Sequence, residues 1–303
     1  MDIQRIITDI AAEIEEDAAT IEGAADAKDA DATPGPFGIA VATEQGVLTA
    51  GQADVAFPIQ SISKVLALEL ALLEHEDAVF TRVGREPSGD PFNSVIDLER
   101  TRGVPRNPFI NAGALVIVDM LVAARPDGDA VVGFVREQLD GHPMTLDEGV
   151  LHEDSDLNQA MLSFMKHHGN LESSVDRVMG AYGKQCAIAV DCVGLALAGR
   201  FLTRTRMHAG DDAGNRRARR MRTVLALMMT CGHYDGSGDF AVRVGLPAKS
   251  GVGGGILAIA PERASIAVWS ANLDQHGNSI LGVRALEMLA AQTGWSVFGP
   301  PAD

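Results

Sequence analysis

Phe57–Lys64 reads FPIQSISK, and the residues behind it, Val65–Leu73, read VLALELALL. Ser61 and Lys64 stand three apart at what the pattern predicts to be the first turn of a helix, where i, i+3 side chains share a face about 5–6 Å apart at Cβ. That spacing sets a hydroxyl beside an amine. If burial lowers the lysine pKa enough for part of it to be neutral, the amine can take the Ser61 proton and turn a poor nucleophile into a useful one. Within Val65–Leu73 only Glu69 is polar, so the helix is apolar nearly all round and belongs inside a domain. Ser61 then lies at its amino end, where free N–H groups and the positive end of the dipole favour developing negative charge. A helix N-cap is the competing role for this serine.

The composition suits such an interior. The chain has 303 residues, 46% of them hydrophobic, enough for a large core or two lobes. Asp and Glu number 41 against 25 Lys and Arg, a net charge of −16 that repels a phosphate backbone and argues against nucleic acid as a partner. Cys186, Cys192 and Cys231 cannot all pair and include no C-x-x-C, which fits a reducing compartment. MDIQRIITDI lacks a basic stretch followed by an apolar core, and no apolar run approaches the length of a membrane span, so the cytoplasm is the expected location.

Outward from the serine, Ile3, Ile6, Ile7, Ile10 and Ile14 keep helical spacing opposite an acidic face. Residues 22–36, rich in Ala and Asp and ending in PGP, read as a connector. Phe37–Thr43 and Val47–Ala50, separated by Glu44-Gln45-Gly46, read as a β-hairpin. Glu74 to about Arg220 is mostly helical in pattern, with no convincing series of strands. Inside it, Gly103–Ala114 (GVPRNPFINAGA) ends in an apolar run, and Asn111 at its entry is an N-cap candidate. Asn215–Arg222 (NRRARRMR) reads as a solvated helix face pairing with acidic neighbours or another subunit, and Val224–Thr230 as a second apolar helix. Val242–Leu246, Gly255–Ala260 and Ala264–Ala271 read as antiparallel strands, and Ser279–Thr293 as a closing helix. Strands at both ends with helices between predict one domain over 1–303. An α/β lobe from 1–73 with 221–303 would carry a mainly helical lobe over 74–220.

Lys249-Ser250-Gly251 is a second triplet of interest, on a strand-like segment followed by glycines at 253, 254 and 255. Backbone there can approach a ligand closely, so the Val252 N–H could complete an oxyanion hole with that of Ser61; a plain Gly-rich turn is the alternative. S-x-x-K followed by K-T-G marks the penicillin-recognising serine enzymes, and K-S-G is the same kind of triplet. The eight histidines show no metal spacing, and no cofactor is implied. Tyr182 and Tyr234 are the two tyrosines, both in turn-like, polar-flanked contexts from which a phenol could relay a proton.

FPIQSISK, PRNPFINAGA, YGKQC, TCGHYDGSGDF, GLPAKSGVGGGI and LDQHGNS occur in this order, and from about Phe37 to the last helix the chain resembles the serine-dependent glutaminase family. The resemblance implies an α/β fold of the α+β type, an antiparallel sheet flanked by helices plus a mainly helical lobe, like serine β-lactamases and DD-peptidases. It implies hydrolysis of L-glutamine to L-glutamate and ammonia by a homo-oligomer, tetramer or dimer. It further implies Ser61 as nucleophile, Lys64 as its activating amine and Tyr234 as proton carrier. Ser61, Asn111, Glu153, Asn158, Tyr182, Tyr234 and the Val252 backbone would hold substrate, with Asp154 competing for the role of Glu153. Two departures bear on substrate. The 152–158 loop (HEDSDLN) is about two residues short and has Leu157 where the family usually has Arg. Ala27, Lys28 and Asp29 stand in the connector where the family carries Tyr-Ile-Pro. The competing readings are a Ser-Lys hydrolase of another amide or a β-lactam, and a glutamine-binding protein without turnover.

Overall fold

A computed structural model describes residues 1–25, 27–29, 32–89, 94–125, 127–153 and 155–299. The chain opens with α1 (Ile3–Ala24), whose N-cap Asp2 accepts from the Arg5 N–H, and whose isoleucine stripe buries Ile7, Ile10 and Ile14. The hairpin β1 (Phe37–Thr43) and β2 (Gly46–Gly51) follows as the pattern predicts. After it come the short β3 (Phe57–Pro58), a 3₁₀ turn over Gln60–Ile62, α2 (Ser63–His75), α3 (Ile96–Arg100), α4 (Asn111–Ala124) and α5 (Ala130–Gln138). Next are β4 (Thr145–Leu146), α6 (Glu148–Leu151), α7 (Asp156–His167), α8 (Val175–Cys186), β5 (Ile188–Val190) and α9 (Cys192–Gly199). The chain finishes with α10 (Asp212–Cys231), α11 (Ser237–Arg243), β6 (Ala248–Ser250), β7 (Gly255–Ala260), β8 (Ala264–Ser270) and α12 (Ile280–Thr293).

Five antiparallel strands form the main sheet in the order β2-β1-β8-β7-β6, so the two ends of the chain meet where β1 pairs with β8. Strands β1, β7 and β8 are buried on both faces and therefore read as nearly unbroken apolar runs. Their alternation appears only in what each side touches. Ile39, Val41, Ile256, Ala258, Ile266 and Val268 pack with α1 and α12, while Ala40, Ala42, Leu257, Ile259 and Ala267 face α2 and α9. A third cluster joins α4, α7 and α8 through Leu115, Val116, Met161, Leu162, Met165 and Val178.

Three expectations are corrected. The mainly helical stretch also contributes β4 and β5, which with β3 make a second, three-stranded sheet; runs of two or three residues carry no periodicity to read. Val242–Leu246 is not a strand: Phe240 and Val244, four apart and both buried, mark a helical face, and Val242 points to solvent at 87% exposure. The basic cluster and the apolar run after it are one helix, α10, in which Arg220 reaches the buried Glu69 of α2 at 3.3 Å. Burial pushes the Glu69 carboxyl up to about 7 even against that guanidinium.

Gly113 shows how tightly α4 is seated. A Cβ there would run into the Asn107 carbonyl, which belongs to the loop carrying Phe109. Gly113→Ala is expected to lower stability by about 1–3 kcal/mol through overpacking. Urea denaturation checks this as a lowered midpoint at unchanged slope.

Candidate active site

The segment that sets up Ser61 is bent before the helix starts. Helix α2 begins at Ser63, so Ser61 lies in the preceding 3₁₀ turn and not in the first α-turn. The i, i+3 relation to Lys64 survives, because 3₁₀ geometry also stacks residues three apart. Gln60, just before the serine, takes φ of +47°, a left-handed conformation costly for a non-glycine residue. Ser61 makes no capping bond, which removes its competing role.

Lys64 is 1% exposed, the setting the apolar helix predicts. Its Nζ donates to Asn111 Oδ1 at 2.6 Å and to the Phe109 carbonyl at 3.3 Å. Both acceptors are neutral, so burial dominates and lowers the amine to about 8. The N-cap of α4 is Ile110 by position; Asn111 is its first residue, and the side chain serves Lys64 and Asn158 instead of the backbone.

Asn111 is the hub of a polar network. Its Nδ2 donates to Asn158 Oδ1 at 3.2 Å, and Tyr182 donates its hydroxyl to Asn111 Oδ1 at 3.4 Å. Asn158 lies in the first turn of α7, where N-cap Ser155 accepts its N–H. Tyr182 is in α8, not in a turn: Val178, Ala181, Tyr182, Gln185 and Cys186 are its buried stripe. Burial raises the Tyr182 hydroxyl well above its ordinary range, with lesser contributions from neighbouring Cys186 and Glu153. Glu153 follows α6 at the mouth, and Asp154 lies outside the described residues.

Tyr234 also takes a left-handed φ, +51°, at the start of a short 3₁₀ turn. Its hydroxyl lies 3.5 Å from the Ser250 carbonyl; burial pushes it up to about 12 even though the neighbouring Ser61 side chain lowers it. Lys249 of β6 places its amine 4.3 Å from the Tyr234 ring centre and 2.5 Å from the Ser250 carbonyl. Burial first, then the charge of Lys64, holds Lys249 well below its normal pKa. Two buried amines so close disfavour one another's charge.

The turn at 251–254 is pressed onto the serine segment. A Cβ at Gly251 would meet the Ile59 carbonyl at 2.7 Å, and one at Gly253 would strike that of Pro58. Backbone this close brings Val252 to the same cavity wall as Ser61.

Ser61, Asn111, Glu153, Asn158, Tyr182 and Val252 all line one cavity of about 660 Å³. Lys64 and Tyr234 stand outside that lining; Lys64 reaches it through its bond to Asn111, and Tyr234 neighbours Ser61. The sequence reading gives no site role to Cys186 or Lys28, which line the cavity too. Burial raises the Cys186 thiol, with Lys64, Tyr182 and Ser63 acting the other way, and its place four residues after Tyr182 on α8 was the available signal. A separate cavity of about 350 Å³ runs along the arginines of α10 and holds none of these groups. Among the described residues no cluster of His, Cys, Asp or Glu is placed to hold a metal ion, and no helix is long and apolar enough to cross a membrane.

A buried serine, a lysine of lowered pKa and an amide–phenol network at one polar cavity are the groups that a serine hydrolase acting on a carbonyl carbon uses. The glutaminase family model matches residues 28–298. The glutaminase of Azorhizobium caulinodans is 51% identical over 269 residues, covering 86% of this chain and 87% of that one. The thermolabile glutaminase of Rhizobium etli is 50% identical over 273 residues, 88% of each chain. Among solved structures, a probable glutaminase of Bacillus subtilis superposes with a TM-score of 0.83 at 31% identity, covering 96% of this chain and 97% of that one. A Bacillus subtilis probable glutaminase complexed with 6-diazo-5-oxo-L-norleucine gives 0.80 at 28% identity and 98% coverage of both chains. The chain belongs to the glutaminase family, hydrolases that convert glutamine to glutamate and ammonia.

Proposed function

We propose that this chain hydrolyses L-glutamine through an acyl-enzyme on Ser61, with Lys64 as the base, Tyr234 as the proton carrier and Val252 completing the oxyanion hole. The observation that carries this reading is the meeting of Ser61, a Lys64 lowered to about 8, and the Asn111–Asn158–Tyr182 network at one cavity. Ser61 Oγ attacks the side-chain carboxamide carbon while its proton passes to neutral Lys64. The N–H groups of Ser61 and Val252 take the developing oxyanion. Collapse breaks the C–N bond, and the nitrogen leaves as ammonia with the proton returned by Lys64 through Tyr234. Water, deprotonated by Lys64, then cleaves the glutamyl ester and releases glutamate. Glu153 faces the α-ammonium, and Asn111, Asn158 and Tyr182 hold the remaining polar groups of substrate.

Magnitudes decide between the two candidate bases. At neutral pH about a tenth of an amine of pKa 8 is neutral, against roughly one in a hundred thousand for a phenol of pKa 12 ionised. Tyr234 therefore passes protons and does not collect them. The sheet with its helical insertion, S-x-x-K and K-S-G support kinship with serine β-lactamases and DD-peptidases, and the lobes 1–73 with 221–303 and 74–220 belong to the same reading. Assembly as a homo-oligomer, tetramer or dimer, and a cytoplasmic location go with the same reading.

The glutamine analogue 6-diazo-5-oxo-L-norleucine tests the nucleophile directly. Mass spectrometry is expected to find one covalent adduct per chain on the peptide bearing Ser61, suppressed by excess L-glutamate. A label on another residue, or no label, would overturn the assignment.

A further inference from the structure

The connector before β1 enters the site. Ala27 bridges Asp274 in antiparallel fashion, the Lys28 N–H donates to the Leu273 carbonyl at 2.8 Å, and Gln275 Nε2 donates to the Ala27 carbonyl at 2.8 Å. The loop that holds it also covers the catalytic side: a Cβ on Gly277 would lie 3.3 Å from Val252 and 3.7 Å from the Tyr234 ring. Lys28 is thus fixed by its backbone at the rim, and it lines the cavity that Ser61 and Glu153 line.

The charges around that cavity are few. Among the described lining residues Glu153 is the carboxylate, and the cationic candidates are Lys28 and His152. His152 is already placed 3.3 Å from Glu148 on its own helix. No acidic side chain of the described residues forms an ion pair with Lys28. Lys64 is too deeply buried to meet the solvent-facing end of a substrate and keeps its amine on Asn111. A free amino acid brings both a carboxylate and an ammonium on one carbon, and Glu153 answers only the second.

We propose that Lys28 is a specificity residue that receives the α-carboxylate of the substrate, paired across the cavity with Glu153 on the α-ammonium. This rests on the glutaminase reading for the identity of the substrate. It assigns selection for a free α-carboxyl group to a charged side chain on the amino-terminal connector, in a segment that otherwise looks like solvated linker. A peptide-linked glutamine or a glutamine ester lacks that charge and gains nothing from Lys28.

The test compares ammonia release from L-glutamine and from L-glutamine methyl ester by wild type, Lys28→Met and Lys28→Arg. Lys28→Met is expected to raise KM for L-glutamine about tenfold with kcat within about twofold, the signature of lost uniform binding, and to leave the ester unchanged. Lys28→Arg is expected to restore most of the affinity. A KM for glutamine within about twofold of wild type, or an equal rise for both substrates, would overturn the proposal. Calorimetry on the Ser61→Ala background makes the same comparison without turnover. A tenfold weaker Kd for glutamine alone would uphold Lys28 even if wild type released no ammonia, an outcome that would count against the hydrolytic reading and not against the carboxylate site.

Discussion

Ser61→Ala is expected to abolish ammonia release, lowering kcat/KM for L-glutamine by about ten-thousandfold or more while L-glutamate still binds. The expectation rests on what the neighbouring hydroxyls are doing. Ser63 donates to the Gln60 carbonyl at 2.6 Å, and Ser155 caps α7 by accepting the Asn158 N–H. Ser250 is fully buried on β6, behind Tyr234 and Lys249. Ser61 combines an opening onto the cavity, a place beside Tyr234, whose hydroxyl it lowers, and a position one 3₁₀ turn from Lys64. Removing one Oγ changes little in packing, so the variant is expected to melt with wild type and to bind glutamate calorimetrically with a similar Kd. A variant retaining a tenth of the wild-type rate would show that water is activated without a covalent step, and would remove the acyl-enzyme from the mechanism.

How much of this was legible in the sequence depends on the distance over which each feature is encoded. Ser61 and Lys64 were readable from a spacing of three and an apolar run, because both the face they share and its burial are local properties. The hairpin, β7, β8 and both terminal helices were readable for the same reason. Asn111 stands 47 residues from Lys64 and 47 from Asn158, so nothing local says that its amide leaves the α4 backbone to bridge them. Only the resemblance to a known family brought Asn111, Asn158 and Tyr182 together. Tyr182 illustrates the limit from the other side: its polar neighbours suggested a turn, yet Gly180, Gly183 and Lys184 lie off the buried face of α8 while Val178, Tyr182 and Cys186 keep helical spacing. Val242 misled because V-x-V alternates, and the deciding contact was Phe240 with Val244. Lys28 was noticed only as a departure, since its place at the cavity is set by pairing with a loop some 245 residues later.

Lys64 supplies the second large effect, and its pH dependence has a definite sign. The amine is lowered to about 8 because burial penalises its charged form more than Asn111 and the Phe109 carbonyl repay. A proton-accepting role for Lys64 uses the neutral form, whose share rises about tenfold per pH unit below the pKa and levels off above it. The rate constant kcat is therefore expected to climb from pH 6 toward pH 8 and reach a plateau near pH 9, and a fall over that range would mean that the ammonium is the working form. The midpoint belongs to a pair of sites, since Lys249 titrates within reach of Lys64. Lys64→Arg sharpens the point. A guanidinium can keep a hydrogen bond to Asn111 but stays protonated across the whole range. It is expected to lose activity by about a thousandfold or more, with glutamate binding retained. Substantial activity in that variant would require another group to take the Ser61 proton, and Tyr234, pushed up to about 12 by burial, has too little phenolate at neutral pH to serve. The two variants together thus separate a lysine that accepts the proton from one that merely props Asn111 in place.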